Sequence, residues 1–299
     1  MNPNSLIKSF FYGNYFYGLC AVALSIEAIL QQMFPLNHVL YFFAVFCVTV
    51  VYYSRAYITE VPVHRGNQRS AWYSRNKRFV FFSQAILTLL VFSLLVIFIK
   101  DNWQSIFQMS LLQLALIAVF PLTGIFYYGV SGTKYTLRKI GWLKPFVIGF
   151  AWAGLVTVYP IIYYTVANNI PFELTVIGAL LFLKNFMFVS VLCIMFDIKD
   201  YVSDSNQNLN TFVVKQGLKK TIYFIIIPLC LIGLGTFILY GITRGFHPIK
   251  IALNVVPFVL LLLTAYSLQT RRSLLYYLFV VDGLMLVKAI CGSIAVVYF

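Results

Sequence analysis

Three of the chain's 8 acidic residues, Asp197, Asp200 and Asp204, fall in the stretch Phe196 to Gly217, which reads FDIKDYVSDSNQNLNTFVVKQG. Spacings of three and seven put all three carboxylates on one face of a helix. Carboxylates so close repel one another and resist desolvation, so a compact set of them asks for a cation. Oxygen-only ligands suit Mg²⁺, which bridges carboxylates to the phosphates of a substrate. The alternative for the same residues is a solvated helix end, a place where Asp is also favoured.

The elements that must position these acids are membrane helices. With 61% hydrophobic, 18% aromatic and 10% charged residues and a mean hydropathy of +0.87, the chain of 299 residues is too apolar for a soluble domain. The net charge of +14 raises the question of nucleic acid, but the basic residues sit in short gaps between apolar runs, which is a topology signal and argues against that partner. Cys20, Cys47, Cys193, Cys230 and Cys291 all fall inside apolar runs, and His38, His64 and His247 are isolated, so neither a disulfide framework nor a zinc site is expected.

Nine apolar runs of spanning length are predicted, at 10–30, 39–58, 79–99, 107–127, 145–166, 174–196, 221–241, 250–268 and 274–297. The first has one basic residue before it and no convincing cleavage site, so it reads as a span and not as a signal peptide. Alternate gaps hold 17 of the 22 basic residues, which predicts a cytoplasmic N-terminus, an outer C-terminus and the aspartates at the cytoplasmic end of the sixth span. No linker or shift in composition interrupts the pattern. A single transmembrane domain over 1–299, in a cell (inner) membrane, is expected.

Charges inside spans are costly and face a partner or a cavity. Glu27, Lys184, Asp282 and Lys288 are of this kind. Glu27 and Lys288, in the first and last runs, lie roughly 25 and 21 Å above the cytoplasmic end at ~1.5 Å per residue, so these opposite charges are expected to pair. Asp282 is assigned instead to a cavity, in contact with an acceptor.

The run Asp197-Ile-Lys-Asp200-x-x-x-Asp204, followed by Thr211, Val214 and Gly217, resembles the second aspartate motif of the UbiA superfamily of intramembrane prenyltransferases. Tyr128 to Trp152, YGVSGTKYTLRKIGWLKPFVIGFAW, is similar to the family's basic loop and the helix after it. The resemblance implies an all-α ring of nine transmembrane helices, in which Mg²⁺ held by two aspartate motifs binds a polyprenyl diphosphate. The diphosphate leaves, and the allylic cation alkylates a lipophilic or aromatic acceptor in a membrane-lipid setting. On this reading Asp197, Asp200 and Asp204 are catalytic metal ligands, and Lys215 and Lys184 contact diphosphate.

The family's first motif, N-D-x-x-D-x-x-x-D, falls where this chain reads YYSRAYITE. Tyr52, Tyr53 and Ala56 replace the Asn and two of the acids, leaving Glu60 as the surviving metal carboxylate. Arg55, Arg65 and Arg69 in the same region offer guanidinium forks to phosphate in place of one ion, or serve as topology signals. The competing function is a lipid-binding, transport-like membrane protein that keeps the fold without diphosphate chemistry.

Overall fold

The computed structural model describes residues 3–59, 68–129, 137–206 and 208–299, and among them there are helices and no strand. Backbone hydrogen bonds closed within each segment are what a bilayer demands, since lipid offers the chain no partners. Seven helices are long and apolar enough to cross a membrane, or eight if the bent pair Leu6–Tyr12 and Tyr15–Gln31 counts as one span. The run predicted at 39–58 is apolar over a shorter length, Val39–Arg55, so nine spans are not established among the described residues.

Where one domain is expected, the chain divides into two compact units: Met1–Ala23 with Asn37–Gln108, and Leu24–Leu36 with Met109–Phe299. The first holds α1 (Pro3–Tyr12), the start of α2 (Tyr15–Gln31), α3 (Val39–Thr59), α4 (Gln68–Arg75) and α5 (Lys77–Asp101). Helices α3 and α5 pack around Cys47, Val50 and Leu87, with Phe46 and Val91 against them.

The break between α1 and α2 is built on Asn14, which sits at φ 67° and is fully buried. Asn tolerates the left-handed region better than most residues, and here its amide donates to Ser54 Oγ and Tyr73 Oη, both at 3.0 Å. Burial pushes the Tyr73 phenol above its ordinary pKa, so it stays a neutral member of this network. Arg69, 4% exposed, completes the arrangement. Its Nε donates to the Tyr12 carbonyl at 3.0 Å, Nη1 to Tyr57 Oη at 3.2 Å, and Nη2 to the Phe11 carbonyl at 3.5 Å and to Asn14 Oδ1. The guanidinium therefore serves the carbonyls left open at the C-terminus of α1. Arg69→Lys cannot reproduce the fork and is expected to lower stability by ~2–4 kcal/mol, read as a fall in melting temperature in detergent.

The second unit contains the remainder of α2, then α6 (Leu111–Tyr128), α7 (Lys144–Ala167), α8 (Val176–Asn206), α9 (Leu218–Thr243), α10 (Pro248–Ser267) and α11 (Leu274–Val297). Helix α8 is its centre: it packs on α7 and α9, and Phe188, Val191, Ile194 and Met195 are completely buried. Helices α10 and α11 pack on each other. Widened π turns interrupt three of these helices, at Gly154–Val158, Ile222–Ile226 and Tyr277–Val281. In α7 and α9 the cause is a proline two residues on, Pro160 and Pro228, which lacks an N–H and crowds the carbonyl four residues back. The third has no proline behind it and delivers Asp282, whose N–H bonds to the Tyr277 carbonyl at 3.0 Å.

Three of the charges buried in the second unit, Glu27, Lys184 and Lys288, form one network. Lys288 Nζ meets Glu27 Oε2 at 2.5 Å, as the matching depths lead one to expect. Lys184 joins them, with Nζ 2.7 Å from Asn254 Oδ1, 3.6 Å from Glu27 Oε1 and 4.0 Å from the centroid of the Phe237 ring. Gln31, one turn beyond Glu27, donates to Glu27 Oε1 at 2.9 Å and to Asn254 Oδ1 at 3.1 Å. Room for the carboxylate comes from Gly292, where a Cβ would stand 2.4 Å from Glu27 Oε1.

Candidate functional site

The aspartate stretch closes α8 and continues into a cap built from side chains. Thr211 accepts from the Val214 N–H at 3.4 Å and so starts the short helix Phe212–Gln216, which Gly217 ends at φ 80°. The T-x-x-V-x-x-G spacing is thus a helix cap at one end and a left-handed stop at the other. Phe212 meets Phe146 of α7 edge-on, with centroids 6.0 Å apart, which brings this cap to the start of α7.

Lys144 opens α7, with Pro145 in the first turn, where a missing N–H costs nothing. Its Nζ lies 2.8 Å from Asp197 Oδ1, and the Asp197 side chain is 1% exposed. The other oxygen, Asp197 Oδ2, is buried without a hydrogen-bond partner among the described residues, and so is Asp204 Oδ2. Lys144 and Arg138 both act on the Asp204 carboxylate. Asp200 is partly exposed and pairs with the adjacent Lys199. The three carboxylates stay close enough to act on one another but take different partners: Asp197 pairs with Lys144 and Asp200 with Lys199.

Among the described residues no three His, Cys, Asp or Glu side chains converge as a metal cage. Mg²⁺ does not require one, because it commonly takes one or two carboxylates and completes its shell with phosphate and water. Asp197 Oδ2 and Asp204 Oδ2 are buried carboxylate oxygens without partners, each able to serve as such a ligand, and the two residues stand seven positions, or ~10 Å, apart along α8.

Other residues chosen from the sequence fall elsewhere. Lys215 is exposed on the short helix beyond the aspartates. Lys184 belongs to the Glu27 network and lies thirteen residues before Asp197 on α8, or ~20 Å along the axis, too far to touch a diphosphate held there. Arg69 is committed to the end of α1, so its fork is not presented to phosphate. Arg55 is exposed on α3, and Glu60 and Arg65 lie outside the described residues. Asp282 is 2% exposed. The Cys193 thiol, one turn before Asp197, lies within electrostatic reach of Asp197, Lys144 and Asp282 alike. In the sequence Lys144 is one basic residue of the stretch Tyr128 to Trp152, with no role of its own assigned to it. A lysine immediately before the proline of a helix start was the one local sign that its position is fixed.

No protein-family model matches the chain, and no curated protein does. Among solved structures, a digeranylgeranylglyceryl phosphate synthase of membranes is similar, with a TM-score of 0.57 and 16% identity over 97% of this chain and 98% of that one. At this identity the likeness is one of fold: an all-helical integral membrane architecture, in agreement with the all-α class expected from the sequence.

Proposed function

We propose that the protein is an intramembrane transferase that moves a prenyl group from a polyprenyl diphosphate to a lipophilic acceptor. The observation that carries this reading is the pair of buried, unpartnered oxygens on Asp197 and Asp204 beside Lys144, at the end of the central helix of the second unit. The fold likeness to a synthase named for a product with two geranylgeranyl chains supports the same class of chemistry.

In this reading Asp197 and Asp204 would hold Mg²⁺, which would supply positive charge to the diphosphate leaving with the bonding electrons. Lys144, Arg138 and Lys215 supply positive charge to the same end of α8 and orient the diphosphate oxygens. When the acceptor forms its new bond to the allylic carbon it releases a proton, and in this reading Asp282, a buried carboxylate, receives it. By the distribution of basic residues this end faces the cytoplasm.

A second reading, a lipid-binding protein without transfer chemistry, is favoured by the lysines already seated on Asp197 and Asp200. Liposomes containing the protein, radiolabelled geranylgeranyl diphosphate and a total membrane lipid extract distinguish the two. Mg²⁺-dependent label in the lipid fraction is expected. Asp197→Asn and Asp204→Asn should each lower it by more than ~100-fold, and Asp200→Asn by less, since only the first two bring buried oxygens without partners. Binding of the lipid extract with no transferred label would leave the second reading.

A further inference from the structure

The first unit carries a groove of about 1090 Å³, lined by residues of α3, α4 and α5. Its two ends differ in chemistry. At one are the Tyr57 and Ser74 hydroxyls and the ammonium of Lys77, an exposed residue with no ion pair among the described residues. This is also where α5 begins, and no side chain caps that helix. Toward the other end the wall is mostly apolar, Ala85, Leu89 and Phe92, with Gln84 and Thr88 among them. From Lys77 to Phe92 the groove follows α5 for fifteen residues, or ~22 Å, somewhat longer than the ~15 Å of hydrocarbon in one leaflet. Helix α5 is the most apolar of the candidate spans together with α9, at a hydropathy of 2.5, and only 6% of its apolar window is buried.

We infer that this groove is a binding site for an anionic phospholipid, with the headgroup phosphate on Lys77, Ser74 and Tyr57 and one acyl chain along α5. Charge complementarity selects the occupant. A cation and hydroxyl donors at the end of an uncapped helix favour a phosphate monoester or diester, while a bare apolar wall would accept any lipid chain. Tyr57 Oη already accepts from Arg69 Nη1 at 3.2 Å, so its own O–H remains to be donated toward the groove. The buried Arg69 thus fixes which way this hydroxyl works. The site lies wholly in the first unit and is independent of the aspartate chemistry.

Native mass spectrometry of the full chain in detergent, offered equal amounts of dioleoyl phosphatidic acid and dioleoyl phosphatidylcholine, tests the assignment. A preference of about fivefold for phosphatidic acid is expected, the ratio that corresponds to the ~1 kcal/mol of headgroup attraction typical of one basic residue. Lys77→Gln should abolish the preference, and Arg78→Gln, the next residue but not part of the lining, should preserve it. Leu89→Trp, which fills the apolar end, should weaken retention of both lipids. Equal retention of the two lipids by the unaltered protein would overturn the site, leaving an ordinary lipid-facing wall. An equal loss of preference in Arg78→Gln and Lys77→Gln would overturn it too, since diffuse surface charge would then account for the selectivity.

Discussion

Glu27→Gln is expected to destabilise the protein by ~3–5 kcal/mol, more than any other single substitution in its network, because it leaves two buried ammonium groups with no carboxylate between them. The sequence alone points to a simple pair, in which loss of either Glu27 or Lys288 strands the other. Lys184 changes the sign of that comparison. Lys288→Met leaves Glu27 with Lys184 at 3.6 Å, Gln31 at 2.9 Å and no excess charge, so a loss of only about 1–2 kcal/mol is expected, mostly from packing. The double variant Glu27→Gln with Lys288→Met should recover part of what Glu27→Gln loses, since one of the two repelling ammonium groups is gone. Melting temperatures of the four proteins in one detergent check the order. Equal losses for the two single variants would show that Lys184 does not share the carboxylate.

Lys144→Met should make the fold depend on a divalent ion. Without Lys144 the Asp197 carboxylate, 1% exposed, loses the cation 2.8 Å away and stands buried with an uncompensated charge, at a cost of ~3–5 kcal/mol. An ion held by Asp197 and Asp204 restores that charge balance, and a ligand at a hundred times its dissociation constant adds ~2.7 kcal/mol. The rise in melting temperature on adding Mg²⁺ is therefore expected to be larger in Lys144→Met than in the unaltered protein, and absent when Asp197→Asn is added. A Lys144→Met protein that melts low and ignores millimolar Mg²⁺ would reject an ion site at these carboxylates. This measurement needs no substrate, so it separates the ion from the transfer reaction.

How far the site is legible in sequence depends on whether one helix or several decide each position. Thr211 and Gly217 are local devices, a cap and a left-handed stop, and their spacing announces both. The Glu27–Lys288 contact follows from depth, which residue counting measures well along a straight helix. The diphosphate role of Lys184 comes from the resemblance and not from counting, which already sets it ~20 Å from Asp197; its partners Asn254 and Phe237, on α10 and α9, are contacts that one helix does not reveal. The division of the aspartates is of that kind too. Spacings of three and seven define one face, but whether Asp200 joins Asp197 depends on where Lys144 and Lys199 come to rest. Arg69 shows the opposite failure: it reads as loop charge because the bend at Asn14, which its fork serves, has no apolar period of its own.

The sharing of α2 between the two units has a consequence for biogenesis. Glu27 enters the membrane with the first apolar run, at an insertion cost of at least ~2.5–3.5 kcal/mol for a charge near a span's centre. Lys184 is synthesised 157 residues after it and Lys288 a further 104. At ~5–20 residues per second the carboxylate waits roughly 8–30 s for its first cation and roughly 5–20 s more for its second. During that interval the C-terminal half of α2 has no settled seat, while the bend at Asn14 that precedes α2 can already close on Arg69. Assembly of the second unit is thereby tied to completion of the chain: until α11 emerges, the ribosome holds a protein whose helix α2 is only half placed.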